Sequence, residues 1–319
     1  MNEVLPPELN GDEGWELRFS EAKSLAKAET SVAIPKLLEM KSDENRSVRC
    51  AVAISLGNFA DSREAFDGLV ELLTDPEAWV RIRTVQSLAS FKGTKAPDFL
   101  ARQLETEDNE KVRATIVKSI GSFGDERYIS LLLPYLEDED ARVRANTIEG
   151  LGFIESEQLQ SILRPFLDDP NSRIRANAAR IMSSFADGVA ASRETFEKML
   201  SSEDQYERAS AVYALGEMRD EVYVGPLLDL FKDKSFVVRR NAIDALAKFG
   251  SSIERRVCHR LKKEDAIIRA CCCQLLGQIG TKTCLRSVIP HLDDPAGDVR
   301  SNCEAALDAI NERLKNKGA

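Results

Sequence analysis

At 319 residues, the chain is longer than the size at which a single compact core stops growing. It is 43% apolar and 30% charged, as expected of a helix-rich protein without long disordered tracts. Its formal charge of −9 argues against broad nucleic-acid binding, whose affinity comes largely from neutralising phosphates. Residues 1–13 carry neither a basic n-region nor an apolar h-region and read as a flexible N-terminus rather than a secretory signal. No apolar run reaches the ~18 residues of a membrane span.

A capping helix is predicted over residues 14–28, with Trp15, Leu17, Phe19, Ala22 and Leu25 as its apolar positions. From about residue 30 onward a two-residue phrase recurs, a β-branched residue followed by Arg. It appears at Val48-Arg49, Val80-Arg81, Val112-Arg113, Val143-Arg144, Ile174-Arg175, Val238-Arg239, Ile268-Arg269 and Val299-Arg300, with a degenerate copy at Glu207-Arg208. Successive arginines are 30 to 33 residues apart. So tight a period means one supersecondary unit copied in series.

Around each Arg the apolar positions fall one before, four after and seven after, which is one face of a helix. The seventh position is apolar in every copy, from Leu56 to Leu307. The fourth is apolar in all but the last, where Glu304 predicts a C-terminal cap with no further repeat packed on it. Six residues before the Arg stands an acid in seven copies, including Asp75, Asp169 and Asp294, each followed by Pro, which suggests a helix N-terminus capped by the acid. Upstream runs another apolar segment, the first helix of each pair, often with Pro in its body (Pro35, Pro97, Pro134, Pro165, Pro226, Pro290).

The pattern Leu-x-x-x-Leu-x-Asp-Pro-x-x-x-Val-Arg-x-x-Ala-x-x-x-Leu-Gly resembles the short HEAT-like repeat, the variety also found in phycobilin lyases, over roughly residues 30–314. The resemblance implies a single all-α domain over 14–319, a right-handed α-solenoid (alpha-alpha superhelix) of about nine HEAT-like helical hairpins, probing partners with its concave second-helix face. It also implies that the arginines and acids form a structural ladder between adjacent hairpins and are not a binding site.

Enzymatic readings find little in the residues. The related deoxyhypusine hydroxylases bind iron through His-Glu dipeptides, whereas the two histidines here are His259-Arg260 and His291-Leu292. Related DNA glycosylases need a basic groove, against the overall charge. A bilin lyase-like or chromophore-handling protein, whose tetrapyrrole carries acidic propionates, is the alternative function. Five of the seven cysteines lie within residues 258–284, but there is no Cys-x-x-Cys pair, so neither a zinc site nor a disulfide framework is expected. Cys272, Cys273 and Cys303 fall on core positions, while Cys271 is expected to face outward as a candidate reactive thiol. No metal or cofactor is expected, and the cysteine usage reads as reduced and cytoplasmic.

The stripe expected to face outward from the second helices, at −2, +2, +5 and +9 around each Arg, supplies the candidate site. It holds Trp79, Arg83, Lys111, Lys118, Arg142, Phe153, Arg173, Arg180, Tyr206 and Tyr213. Six of these are Lys or Arg, against the single acid Glu149 in the same copies, in a chain that is acidic overall. Basic charge with Trp, Tyr and Arg is the composition of an interaction site. An Asn recurs at +2 (Asn146, Asn177, Asn241, Asn302), suited to a peptide backbone or to the neighbouring helix. The expected function is therefore a non-catalytic, monomeric adaptor that binds an acidic segment of a protein partner, with neither nucleic acid nor membrane as its target. In the sixth copy, Glu207 at the packing position and Ser202 in place of the acid predict a weakened contact.

Overall fold

A computed structural model describes residues 14–262 and 265–317; the expected flexible segment over 1–13 lies outside them. Nineteen α-helices and short 3-10 turns, with no strand, make up the regular structure of the described residues. The chain divides into two compact units, Met1–Ile162 and Leu163–Ala319.

In unit 1 the second helices of the hairpins are α1 (Trp15–Leu25), α3 (Arg46–Leu56), α5 (Ala78–Leu88), α7 (Glu110–Gly121) and α9 (Ala141–Leu151). They pack in succession, each on the next. The first helices are α2 (Thr30–Met40), α4 (Arg63–Leu72), α6 (Ala96–Thr106), α8 (Ile129–Leu132) and α10 (Gln158–Leu163), which closes the unit. Unit 2 repeats the scheme with second helices α11 (Ser172–Met182), α13 (Gln205–Met218), α15 (Phe236–Ala247), α17 (Ala266–Ile279) and α19 (Gly297–Lys317). Its first helices are α12 (Val189–Leu200), α14 (Val224–Asp229), α16 (Glu254–Leu261) and α18 (Leu285–Val288).

Several first helices are short because of proline. A proline has no N–H to donate and its ring crowds the carbonyl four residues back, which disfavours an α-helical run, although α2 carries Pro35 within its 11 residues. At Pro134, Pro165 and Pro290 the segment continues as a 3-10 turn, over Leu133–Glu137, Arg164–Asp168 and Ile289–Asp293. The proline-free α4 and α12 run unbroken for 10 and 12 residues. Pro97 lies in the first turn of α6 rather than in the helix body.

The repeat positions account for the core. Val48, Val80, Val112, Val143 and Ile174 are buried, as are Leu56, Leu88, Ile120, Leu151 and Met182. Glu304, at the position that is apolar in the other copies, is exposed on α19. Backbones approach most closely between α7 and α9, where a Cβ on Gly150 would lie 2.7 Å from the Val117 carbonyl oxygen. Only glycine fits that approach.

The helix-capping expectation needs correction. The N-cap is the residue four before the Arg, and in several copies its side chain accepts the first helical N–H groups: Asn109 from Lys111 and Val112, Asp140 from Arg142 and Val143. The acid two residues earlier has a different duty. In unit 1, guanidinium–carboxylate pairs join each hairpin to the next: Arg18–Asp43 (2.6 Å), Arg49–Asp75 (2.7 Å), Arg81–Glu107 (2.7 Å) and Arg113–Asp138 (3.2 Å). In unit 2, Arg208–Asp233 (2.6 Å) and Arg269–Asp294 (2.7 Å) do the same. The remaining Nη1 of the guanidinium donates to its own hairpin's loop carbonyls, as Arg49 does to Asp43 O (2.8 Å) and Arg208 to Ser202 O (2.7 Å). The acid in turn accepts the N–H two residues on, such as Asp233 from Ser235 (2.8 Å). One fork thus stitches two loops together.

Two features of the ladder escaped the sequence reading. Arg18 is a ladder arginine, 31 residues before Arg49, so α1 is built as a second helix, with Ala22 and Leu25 buried at the fourth and seventh positions. And Glu207 does not simply sit as a charge at a packing position. It takes the Arg175 guanidinium and accepts from the Ser202 hydroxyl (2.6 Å), replacing the ladder acid that Ser202 lacks. The neighbouring Tyr206 is exposed.

Glu207→Val, which restores the consensus apolar residue, should therefore destabilise the protein by roughly 1 kcal/mol, the value of a partly exposed charged hydrogen bond. Adding Ser202→Asp should recover the loss. Denaturant unfolding of both variants measures it, and a stabilised single variant would show that Glu207 does no ladder duty.

A pH dependence follows from the same pairs. Burial opposes ionisation of Asp43, Glu107 and Asp233, but hydrogen bonds from their arginines and loop N–H groups outweigh it and hold all three below their usual range. For Asp294 the Arg269 hydrogen bond is the leading influence, in the same direction. A carboxylate with a lowered folded pKa contributes stability that is complete above its unfolded value, ~3.9 for Asp and ~4.3 for Glu, and lost as pH falls through the folded one. Melting temperature should hold steady down to about pH 5 and fall progressively below about pH 4. A melting temperature insensitive to acid across that window would contradict it.

Candidate interaction surface

In unit 1 the candidate residues stand on three successive second helices. Trp79 and Arg83 are half-buried on α5, Lys111 is exposed and Lys118 half-buried on α7, and Arg142 is exposed on α9. Phe153 is exposed in the turn after α9. Lys111 Nζ lies 5.9 Å from the Trp79 ring centroid, within cation–π range, which links α5 to α7 on this face. Arg83 Nη1 donates to Gln86 Oε1 at 3.0 Å, leaving its charge without a carboxylate partner among the described residues. Lys118 differs: it pairs with Glu149 at 2.8 Å, so its charge is already compensated. The effective cations of this face are Arg83, Lys111 and Arg142.

Unit 2 holds the other four. Arg173 is exposed at the start of α11, and Tyr206 and Tyr213 are exposed on α13. Lys248 Nζ stands 5.1 Å from the Tyr213 ring. Arg180 is half-buried near the end of α11, and with Arg193, Val189 and Tyr223 lines a cavity of about 420 Å³. The sequence reading missed Lys248, although it stands nine residues after Arg239, a position the stripe includes. Arg193 lies on a first helix, outside the stripe.

Asn146 and Asn177 at +2 do not face outward as Arg83 at the same position partly does. Asn146 Nδ2 donates to the Ala114 carbonyl of the preceding second helix at 2.9 Å, Asn177 is buried, and Asn302 bonds within its own helix. Asn146 and Asn177 thus belong to the seam between helices rather than to an open face.

The family model of HEAT repeats matches residues 34–113, 98–183, 129–211 and 192–257, together more than half of the chain. The chain belongs to the HEAT-repeat family. Similar structures include a homology model of the full-length AP-3 complex in an intermediate open conformation, with a TM-score of 0.54 at 12% identity, covering 95% of this chain and 56% of that one. YibA of Escherichia coli gives a TM-score of 0.45 at 18% identity over 96% and 99% of the two chains. The complex of CpcE and CpcF of phycocyanin lyase from Nostoc sp. gives 0.40 at 22% identity over 84% and 96%. At these identities the likeness concerns the fold alone. No curated protein matches in sequence.

The HEAT seam also explains the cysteines. Cys272, Cys273 and Cys303 are buried core residues, as their positions require. Cys271, expected to face outward, is buried too, at 6% exposure. It holds the +2 position, and a side chain as short as a thiol does not reach out of the seam; burial pushes its pKa up. A second correction concerns bridging. Cys273 on α17 and Cys303 on α19 form a disulfide, with Cα atoms 5.2 Å apart, because the core faces of adjacent hairpins bring them together. Burial also raises the Cys50 and Cys284 thiols, each to about 11. Cys258 is the free thiol with intermediate exposure. Iodoacetamide should accordingly label Cys258 of the native protein before Cys50, Cys271, Cys272 or Cys284. Peptide mapping that finds Cys271 labelled first would restore it as the reactive thiol.

Proposed function

We propose that this HEAT-repeat protein is a non-catalytic interaction scaffold, and that the second-helix face of unit 1 binds an acidic segment of a protein partner. The HEAT fold is compatible with a protein-interaction role. The observation carrying the finer reading is that Arg83, Lys111 and Arg142 have no carboxylate partner among the described residues, beside the half-buried Trp79. In a chain of net charge −9, cations so placed attract acidic groups while the rest of the surface repels them. Within unit 2, the exposed Tyr206 and Tyr213 stand on α13, and Arg173 and Arg180 on α11. No helix among the described residues is long and apolar enough to cross a membrane.

The carboxylate-paired ladder arginines Arg18, Arg49, Arg81 and Arg113 are excluded from this role because their donors are already engaged. Binding should be electrostatic in its approach and fade as salt shortens the Debye length from ~10 Å at 0.1 M to ~3 Å at 1 M. A fluorescent peptide rich in Glu and Tyr, followed by anisotropy, serves as the probe. Reversing Arg83, Lys111 and Arg142 to Glu should abolish binding with the melting curve little changed, while Trp79→Ala should mainly hasten dissociation. The control reverses the exposed Lys36, Arg102 and Lys232. Unchanged binding in the Arg83/Lys111/Arg142 variant discards this face, and equal loss in the control reduces the effect to overall charge.

A further inference from the structure

Two cations in unit 2 stand without a carboxylate partner among the described residues, Arg180 near the end of α11 and Arg193 on α12. Both line the cavity of about 420 Å³. The one acid lining it is Asp220. That carboxylate is engaged as a cap, accepting the Val222 N–H at 3.0 Å at the start of the 3-10 turn Glu221–Tyr223. Two guanidiniums against one capping carboxylate leave the cavity positive, in a chain whose net charge is −9.

The other walls are largely apolar. Val189 and Val222 are exposed, and Met218 lines the cavity beside them. Tyr223 is a fixed wall: it is buried, its hydroxyl accepts from Arg193, and its ring meets that of Phe196 edge-on at 5.8 Å. A second cavity, of about 490 Å³, shares Arg193, Val222 and Tyr223 with the first and continues past Leu200, Pro226 and Leu230. Its acids are Glu197 and Asp229, the latter already paired with Arg260 at 2.7 Å. An anionic group therefore fits the first cavity and not the second, whereas an apolar body fits either. Both volumes are those of small-molecule sites rather than of a bare inorganic ion.

We propose that this cleft binds a small organic anion, an apolar body bearing one phosphate or carboxylate group that Arg180 and Arg193 hold between them. Planar guanidinium forks meet such oxygens with paired N–H donors. The proposal rests on unit 2 alone and stands whether or not the basic face of unit 1 binds a partner.

The test titrates the full chain calorimetrically with naphthyl phosphate, and separately with naphthol and inorganic phosphate, the two halves of that probe. Naphthyl phosphate should bind at least about tenfold more tightly than either half. Arg180→Gln and Arg193→Gln should each weaken it about tenfold, the usual effect of losing a charge-assisted hydrogen bond. Val222→Asp, which sets an acid on the wall common to both cavities, should weaken it further. None of these side chains is buried, so the melting temperature should stay near that of the wild type. Lys198→Gln removes the same charge from α12 outside both cavities and should leave binding unchanged. The proposal is overturned by naphthol or inorganic phosphate binding as tightly as naphthyl phosphate, or by no binding of the latter. Wild-type affinity in both arginine variants, or an equal loss in Lys198→Gln, overturns it as well.

Discussion

The bidentate pairing of one arginine with the carboxylate of the next hairpin is the constraint on which the rest of each unit depends. Apolar burial alone leaves two stacked hairpins free to slide, because any Val or Leu packs acceptably against its neighbours. A planar guanidinium that must meet a carboxylate on one side and two loop carbonyls on the other accepts a single register. The Arg208–Asp233 pair is nearly inaccessible to solvent, at 6% and 5% side-chain exposure. In such a place a lone charge would be costly, so Arg208 needs its acid. Glu207 is evidence of that demand: where Ser202 breaks the pattern, a carboxylate arrives from five residues away to meet Arg175.

Much of this was legible in the sequence, for a physical reason. A repeated unit samples each structural position many times, so the periodic Val-Arg and the apolar fourth and seventh positions separate packing residues from solvent-facing ones without an alignment. What failed were features set by local geometry instead of period. The N-cap and the ladder acid are two residues apart in the same loop, and composition assigned the cap to the wrong one. Arg18 was overlooked because its phrase is Leu17-Arg18, with no β-branched residue, although its spacing to Arg49 matched. The +2 side chains were assigned to the open face by helical angle, yet the next helix packs close enough to claim Asn146 and to bury Cys271. The disulfide was missed because positions in neighbouring hairpins come into contact through the stacking, which spacing along the chain does not encode.

The candidate surface was legible only as composition. Sequence counted six cations on the stripe, but counting does not show which charges are spent. Glu149 lies one hairpin beyond Lys118 and neutralises it, while Arg83 meets a neutral amide. A cation matters for recognition only when its charge is not already answered inside the protein, since an internal pair must be broken before an external one can form.

The same criterion separates the ladder from the candidate surface. Where Ser202 stands in place of the ladder acid, Glu207 supplies the carboxylate, so the pairing is kept while the residue that provides it changes. Changes on the outward positions are under no such demand, and they alter the charge a partner meets on approach.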